Sequence, residues 1–193
     1  MKIGIIDSGK GGLAVAKQIK SEKDQLIILL DQGFFPYGNK SKEVLLKRAY
    51  YLSKCLIEQG VELIILACNT LSILAYSFLK YNLKIPVIGV FDYFIPYLTP
   101  NHTLIGSKTT IAYAKEKYQV QVIDGTDFIE AIEKKKDISI YLEELKGLKT
   151  ELLLLGCTHF LAIPSDAYPL PTLNQIPMLL EDIKKAREIE PLS

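Results

Sequence analysis

Two cysteines stand in matching contexts. Cys68 ends the run Glu62-Leu63-Ile64-Ile65-Leu66-Ala67-Cys68-Asn69-Thr70, and Cys157 ends Glu151-Leu152-Leu153-Leu154-Leu155-Gly156-Cys157-Thr158-His159. The runs superimpose residue for residue: a Glu, four aliphatics, one small residue, a thiol, then small polar groups. A thiol with an ordinary pKa of ~8.5 gives or takes a proton at modest cost near neutrality. Several thiol chemistries compete. A phosphatase needs an Arg shortly after its Cys, and Asn69 to Leu74 contains none. A thiol protease or amidase needs a His base and an orienting carboxamide, which Cys157, His159 and Asn69 supply in type, but Cys68 is then idle. Redox pairs usually lie close in sequence. The remaining chemistry uses both thiols symmetrically, one removing a proton from a carbon centre and the other returning it on the opposite face. That is racemisation. A lone free Cys is more often a small buried hydrophobe. Two at equivalent strand ends shift the balance toward function, and Cys55, inside a helical pattern, keeps the structural reading.

The elements around them must hold the thiols in place. Continuous aliphatic runs of this length fit strands buried on both faces of a parallel sheet, and ligands of such sheets bind beyond the carboxyl ends of the strands. Lys2–Ile6 is a strand running into Asp7-Ser8-Gly9-Lys10-Gly11-Gly12 and a helix over Leu13–Ile19, the opening of a βαβ unit. Neither the phosphate-loop nor the dinucleotide fingerprint is present there. Further strands are expected at 25–30, 85–90, 103–106 and 120–123, and helices at 42–59, 71–81, 111–118, 127–136, 140–148 and 176–189. The loop Asp31 to Ser41 carries Phe34, Phe35 and Tyr37 among turn formers, capping the core or lining a pocket. No element is legible over 161–171. Thr103-Leu104-Ile105-Gly106-Ser107 echoes Ile5-Ile6-Asp7-Ser8-Gly9, so the second half repeats the first. The expected fold is α/β: two similar open-sheet lobes related by pseudo-two-fold symmetry, with the active site in the cleft between them. Residues 1–93 with 172–193 would form the first lobe, and 94–171 the second.

Composition narrows the class. The chain has 193 residues, 49% of them hydrophobic, and a formal net charge of +1. No basic tract marks a nucleic-acid partner, and no apolar stretch is long enough to span a bilayer. Three cysteines that cannot all pair, and no signal-peptide pattern, fit a reduced, cytoplasmic protein. Two histidines without a Cys-x-x-Cys argue against a structural zinc site, so no metal is expected.

An ordered set of motifs, Ile5-Ile6-Asp7-Ser8-Gly9 with Gly11-Gly12-Leu13, Pro36-Tyr37-Gly38, Ala67-Cys68-Asn69-Thr70, Pro86 to Val90, Gly106 to Ile111 and Leu155-Gly156-Cys157-Thr158-His159, resembles the cofactor-independent aspartate/glutamate racemase family over roughly residues 1 to 160. The resemblance implies that Cys68 and Cys157 are the catalytic bases, one per enantiomer, with Asp7 and His159 assisting them. It implies substrate contacts from Ser8, Tyr37, Gly38, Asn69, Thr70, Thr110 and Thr158, and matches a family glutamate to Glu133. It further implies L- and D-glutamate as substrates, no cofactor, a homodimer, and D-glutamate supplied to peptidoglycan. Aspartate or another small acid, or a non-catalytic binding homologue, are the alternatives. The chain departs from the family pattern by a shortened second lobe and at Leu30-Asp31-Gln32, Asp92-Tyr93, Gly125 to Phe128 and Phe160-Leu161.

Overall fold

A computed structural model describes residues 1–188. Two four-stranded parallel sheets carry the architecture, in the orders β2-β1-β3-β4 and β6-β5-β7-β8. The first contains β1 (Lys2–Asp7), β2 (Gln25–Leu30), β3 (Leu63–Leu66) and β4 (Val87–Gly89), and the second β5 (His102–Gly106), β6 (Gln121–Asp124), β7 (Leu152–Gly156) and β8 (Thr172–Leu173). Among the described residues seven α-helices pack around them: α1 (Gly11–Ile19), α2 (Lys42–Glu58), α3 (Asn69–Asn82), α4 (Lys108–Lys117), α5 (Thr126–Glu133), α6 (Ser139–Leu145) and α7 (Ile176–Glu188).

Strand alternation divides each aliphatic run between two faces. In the first sheet Ile6, Ile64 and Leu66 pack with Leu45, Leu52 and Leu56 of α2 and Leu71 and Ala75 of α3. Ile3, Ile5, Leu63 and Ile65 pack on the other face with Val15 and Ile19 of α1 and with Ile176, Leu179 and Ile183 of α7. The second sheet is covered likewise by Phe128, Ile129 and Leu145 on one face and by Phe91, Phe94 and Ala114 on the other. Each such side chain, fully buried, contributes about 1.5–3 kcal/mol, which is why an unbroken aliphatic run is tolerated only in a two-faced sheet.

The register sets up the site. Ile6 lies opposite Leu66, so one step past their pairing Asp7 neighbours Ala67, and two steps past it Ser8 neighbours Cys68. In the second sheet Gly106 lies opposite Gly156, which brings Ser107 beside Cys157 one step further on. The echo between the two halves is thus a spatial equivalence: each lobe presents a serine and a cysteine at the carboxyl ends of adjacent central strands.

Several boundaries differ from the sequence reading: α4 starts three residues before the expected 111, and α5 and α6 each end three residues before the expected 136 and 148. Strand β8 pairs with β7 through Leu153↔Thr172 and Leu154↔Leu173, so it belongs to the second sheet. The chain therefore returns to the first lobe after Leu173, not at residue 172. A two-residue strand carries no periodicity, and only its ladder partner reveals it. Helix α3 starts at Asn69 with Cys68 as its N-cap, two residues before the expected start. The connection after β4 is a 3-10 helix, Val90–Tyr97, whose Phe91 and Phe94 enter the second lobe's core. Residue 189, the last in the expected terminal helix, lies outside the described residues.

Candidate active site

The strand ends of the two sheets face one another, and helix α1 of the first lobe packs against the 3-10 turn Thr158–Ala162 of the second. Asp7 lies at the centre and is fully buried. Its carboxylate accepts the Gly9 amide at 3.0 Å and, across the lobes, the Thr158 hydroxyl at 2.9 Å. Burial raises the Asp7 pKa, against the opposing pull of nearby His159 and of these donors.

Cys68 sits at the start of α3, and the Ser8 hydroxyl reaches its Sγ at 3.9 Å. Burial, with Asp7 adding, pushes its thiol up to about 12, while the Leu71 and Thr70 amides and Ser8 pull the other way. Helix-start amides favour a thiolate, so this thiol is held neutral at rest beside groups ready to receive its charge.

Cys157 has different company. Its Sγ lies 3.4 Å from His159 Nδ1, and His159 Nε2 lies 2.7 Å from Glu133 Oε2. A carboxylate can only accept, so the imidazole proton sits on Nε2 and the Nδ1 lone pair faces the thiol. That orientation lets the ring take the Cys157 proton. Burial raises this thiol well above its ordinary value, opposed by the His159 amide and Thr158, with Cys68 and Asp7 adding to the rise. Asp7 links the two sides, since the Thr158 hydroxyl next to Cys157 donates to it and Ser8 beside it reaches Cys68. Phe35 packs against the His159 ring at a centroid distance of 5.5 Å.

Hydroxyls line the lobe boundary. Thr70 Oγ1 and Ser107 Oγ are 2.8 Å apart, Ser107 and Thr110 are 3.0 Å apart, and Thr70 and Thr110 are 3.5 Å apart. Asn69 is buried, and neither its Oδ1 nor its Nδ2 has a partner. An orphaned buried polar group costs about 1–3 kcal/mol, so a free carboxamide at the site is poised for a ligand. Gly38 is tied across the cleft by the Thr109 hydroxyl at 3.0 Å. Tyr37 is not free: its hydroxyl donates to Asp31 at 2.8 Å, and its ring belongs to the first lobe's core.

All the residues singled out from sequence converge here except that Tyr37 turns its hydroxyl to Asp31. Sequence reasoning missed Ser107, Lys10, and the Asp31–Arg48 pair that braces Tyr37, in which Arg48 donates to both carboxylate oxygens at 2.8 and 2.7 Å. The echo of Ile6-Asp7-Ser8 in Ile105-Gly106-Ser107 was the available signal for Ser107. The other contacts span separate elements and leave no local pattern.

No family model matches the chain. The glutamate racemase of Limosilactobacillus reuteri (strain DSM 20016) is 33% identical, over 97% of this chain and 79% of that protein. The glutamate racemase of Thermus thermophilus, solved with β-chloro-D-alanine, superimposes with a TM-score of 0.78 at 27% identity, over 97% of this chain and 80% of that one. That of Francisella tularensis, solved with D-glutamate, gives 0.77 at 26%, over 100% and 84%. With two thiol-bearing strand ends facing one another in the same two-lobed frame, this chain is an enzyme that belongs to the cofactor-independent aspartate/glutamate racemase family.

Proposed function

We propose that the enzyme interconverts L- and D-glutamate by Cα proton transfer between Cys68 and Cys157. The observation that carries this is the pair of thiols on equivalent strand ends, each with its own polar partners: the Ser8 hydroxyl and the α3 amides as donors to Cys68, and His159, oriented by Glu133, as the proton acceptor for Cys157. In one direction the Cys157 S–H proton passes to His159 Nδ1, and the thiolate takes the Cα proton. The carbanion then takes the S–H proton of Cys68 on its other face. The net result is inversion at carbon, with Cys68 as thiolate and His159 protonated, and proton return resets the site. The reverse direction runs the same steps backward: the Cys68 thiolate takes the Cα proton, the carbanion takes the Cys157 S–H proton on its other face, and protonated His159 returns a proton to Cys157.

Positioned proton transfer supplies only ~10²–10⁴ of rate, so the larger part must come from donors aimed at the developing charge. Asn69, Thr70, Thr110, Thr158 and the helix-start amides are of that type for the substrate carboxylate, and Asp7 complements the α-ammonium. Glutamate is named because the Limosilactobacillus reuteri relative, at 33% identity, is a glutamate racemase, and the structurally similar Francisella tularensis enzyme was solved with D-glutamate. The same reading includes a homodimer that supplies D-glutamate to peptidoglycan.

The test follows Cα–H exchange by NMR in deuterated water, with L- and D-glutamate and L- and D-aspartate offered separately and optical rotation read in parallel. Exchange with inversion of both glutamate enantiomers is expected. Turnover of aspartate alone would reassign the substrate. In C68S and C157S, kcat should fall by about 10²–10⁴-fold with the fold retained. Full activity in either variant would rule out the two-thiol mechanism.

A further inference from the structure

Lys10 lies in the turn between β1 and α1, in the first lobe. Its backbone N–H donates to Glu133 Oε2 at 3.0 Å, and its Nζ donates to the Glu133 carbonyl at 2.7 Å. The ammonium is also 3.7 Å from Glu133 Oε1. Glu133 Oε2 is the atom that meets His159 Nε2, and His159 Nδ1 meets Cys157. A first-lobe residue thus grips the second-lobe carboxylate that orients the imidazole, touching it at the side chain and at the backbone.

Glu133 is the last residue of α5. Its carbonyl is one of the helix's unsatisfied terminal acceptors, where a cation is favoured. The Lys10 side chain is 45% exposed and that of Glu133 13%. A pair with one such partner in water adds little to stability. Its value is positional, since two contacts fix the last turn of α5 in direction as well as distance.

Access gives the contact a place in the cycle. Asp7, Cys68 and His159 are buried, so substrate enters only when the lobes part. Glu133, His159 and Cys157 all belong to the second lobe. Lys10 belongs to the first lobe, so its grip spans the lobe boundary and would break if the lobes parted. We infer that Lys10 is a positioning residue that clamps Glu133 on lobe closure and so aligns His159 for proton exchange with Cys157. The clamp rests on the two-thiol reading of this site. Lys10 stays an ammonium throughout: the proton that leaves Cys157 Sγ goes to His159 Nδ1, and Nε2–H remains bonded to Glu133.

The experiment compares wild type, Lys10→Met and Lys10→Arg. Met keeps the stem and removes the charge and donors, and Arg restores both. In Lys10→Met, kcat should fall about tenfold with KM within about twofold, inside the ~10²-fold that a 1 Å misplacement costs. The limb of the pH–rate profile governed by the Cys157–His159 pair should move, and Lys10→Arg should recover part of the loss. Losses in kcat/KM should be equal for the two enantiomers, because their free energies are equal. The chain has two histidines, so the ring resonances of His159 are identified by the loss of those of His102 in His102→Gln. Lys10→Met should shift the His159 signals and leave those of His102. An unchanged profile with unmoved His159 signals overturns the clamp, whether or not the unfolding midpoint falls. If wild type exchanges no amino-acid substrate, the two-thiol reading fails by that result, and the His159 resonances alone decide the clamp.

Discussion

Cys68 and Cys157 are the same residue type at equivalent strand ends, and their neighbours give them different proton chemistry. Cys68 relies on a helix start and a hydroxyl, and Cys157 on an imidazole and a carboxylate. Burial holds both thiols protonated, which has a consequence for stability. An unfolded Cys ionises near pH ~8.5, whereas folded Cys68 keeps its proton to about 12. Below the unfolded value both states are protonated and the contribution of Cys68 is fully present. Above it the unfolded chain sheds its proton first, and stability falls as pH rises toward the folded value. Cys157 shifts in the same direction. The unfolding free energy should therefore decline above pH ~8.5, and more gently in C68S. Chemical denaturation at a series of pH values checks this, and identical slopes in the two proteins would contradict it. At this scale the thiols, Asp7, Asn69, Thr158 and His159 were legible because they adjoin strand ends in sequence. Lys10 was not, because its partner lies 123 positions away.

At the scale of elements, the closeness of the lobes depends on a missing side chain. A Cβ on Gly11 would lie 2.2 Å from Thr158 Oγ1, 2.8 Å from Thr158 Cβ and 2.9 Å from the His159 amide. Helix α1 can approach the Thr158–Ala162 turn only with glycine there. Gly11→Ala should push the lobes apart and lower kcat/KM by about 10²-fold, the cost of a displacement near 1 Å. Gly33→Ala, where an added Cβ meets nothing within 4 Å, is the control and should stay near wild type. Equal activity in the two variants, measured by polarimetry, would show that closure does not depend on that contact. The pattern Gly9-Lys10-Gly11-Gly12 was visible in the chain as a turn that admits close approach. That another lobe makes the approach was not.

At the scale of the molecule, the last helix returns to the sheet where the chain began. Leu179 of α7 is fully buried with Ile3, Ile5 and Val15. Leu179→Ala should cost about 2–5 kcal/mol of stability, measured by urea denaturation, because it leaves a cavity under the first sheet. A loss below about 0.5 kcal/mol, the scale of ordinary surface substitutions, would place α7 outside that core. Among the described residues no helix is long and apolar enough to cross a membrane. The sequence by itself determined the α/β class, the repeat of one half by the other and the equivalence of the two cysteine strands. Those features are written in local hydrophobic runs and the small residues that end them, and burial on both sheet faces reads such runs directly. Only the tertiary structure decided that β8 joins the second sheet, that Tyr37 turns to Asp31 and that Lys10 meets Glu133. Each of those depends on a partner brought near by lobe packing, and the free energy of such a contact belongs to the pair, not to either stretch of chain.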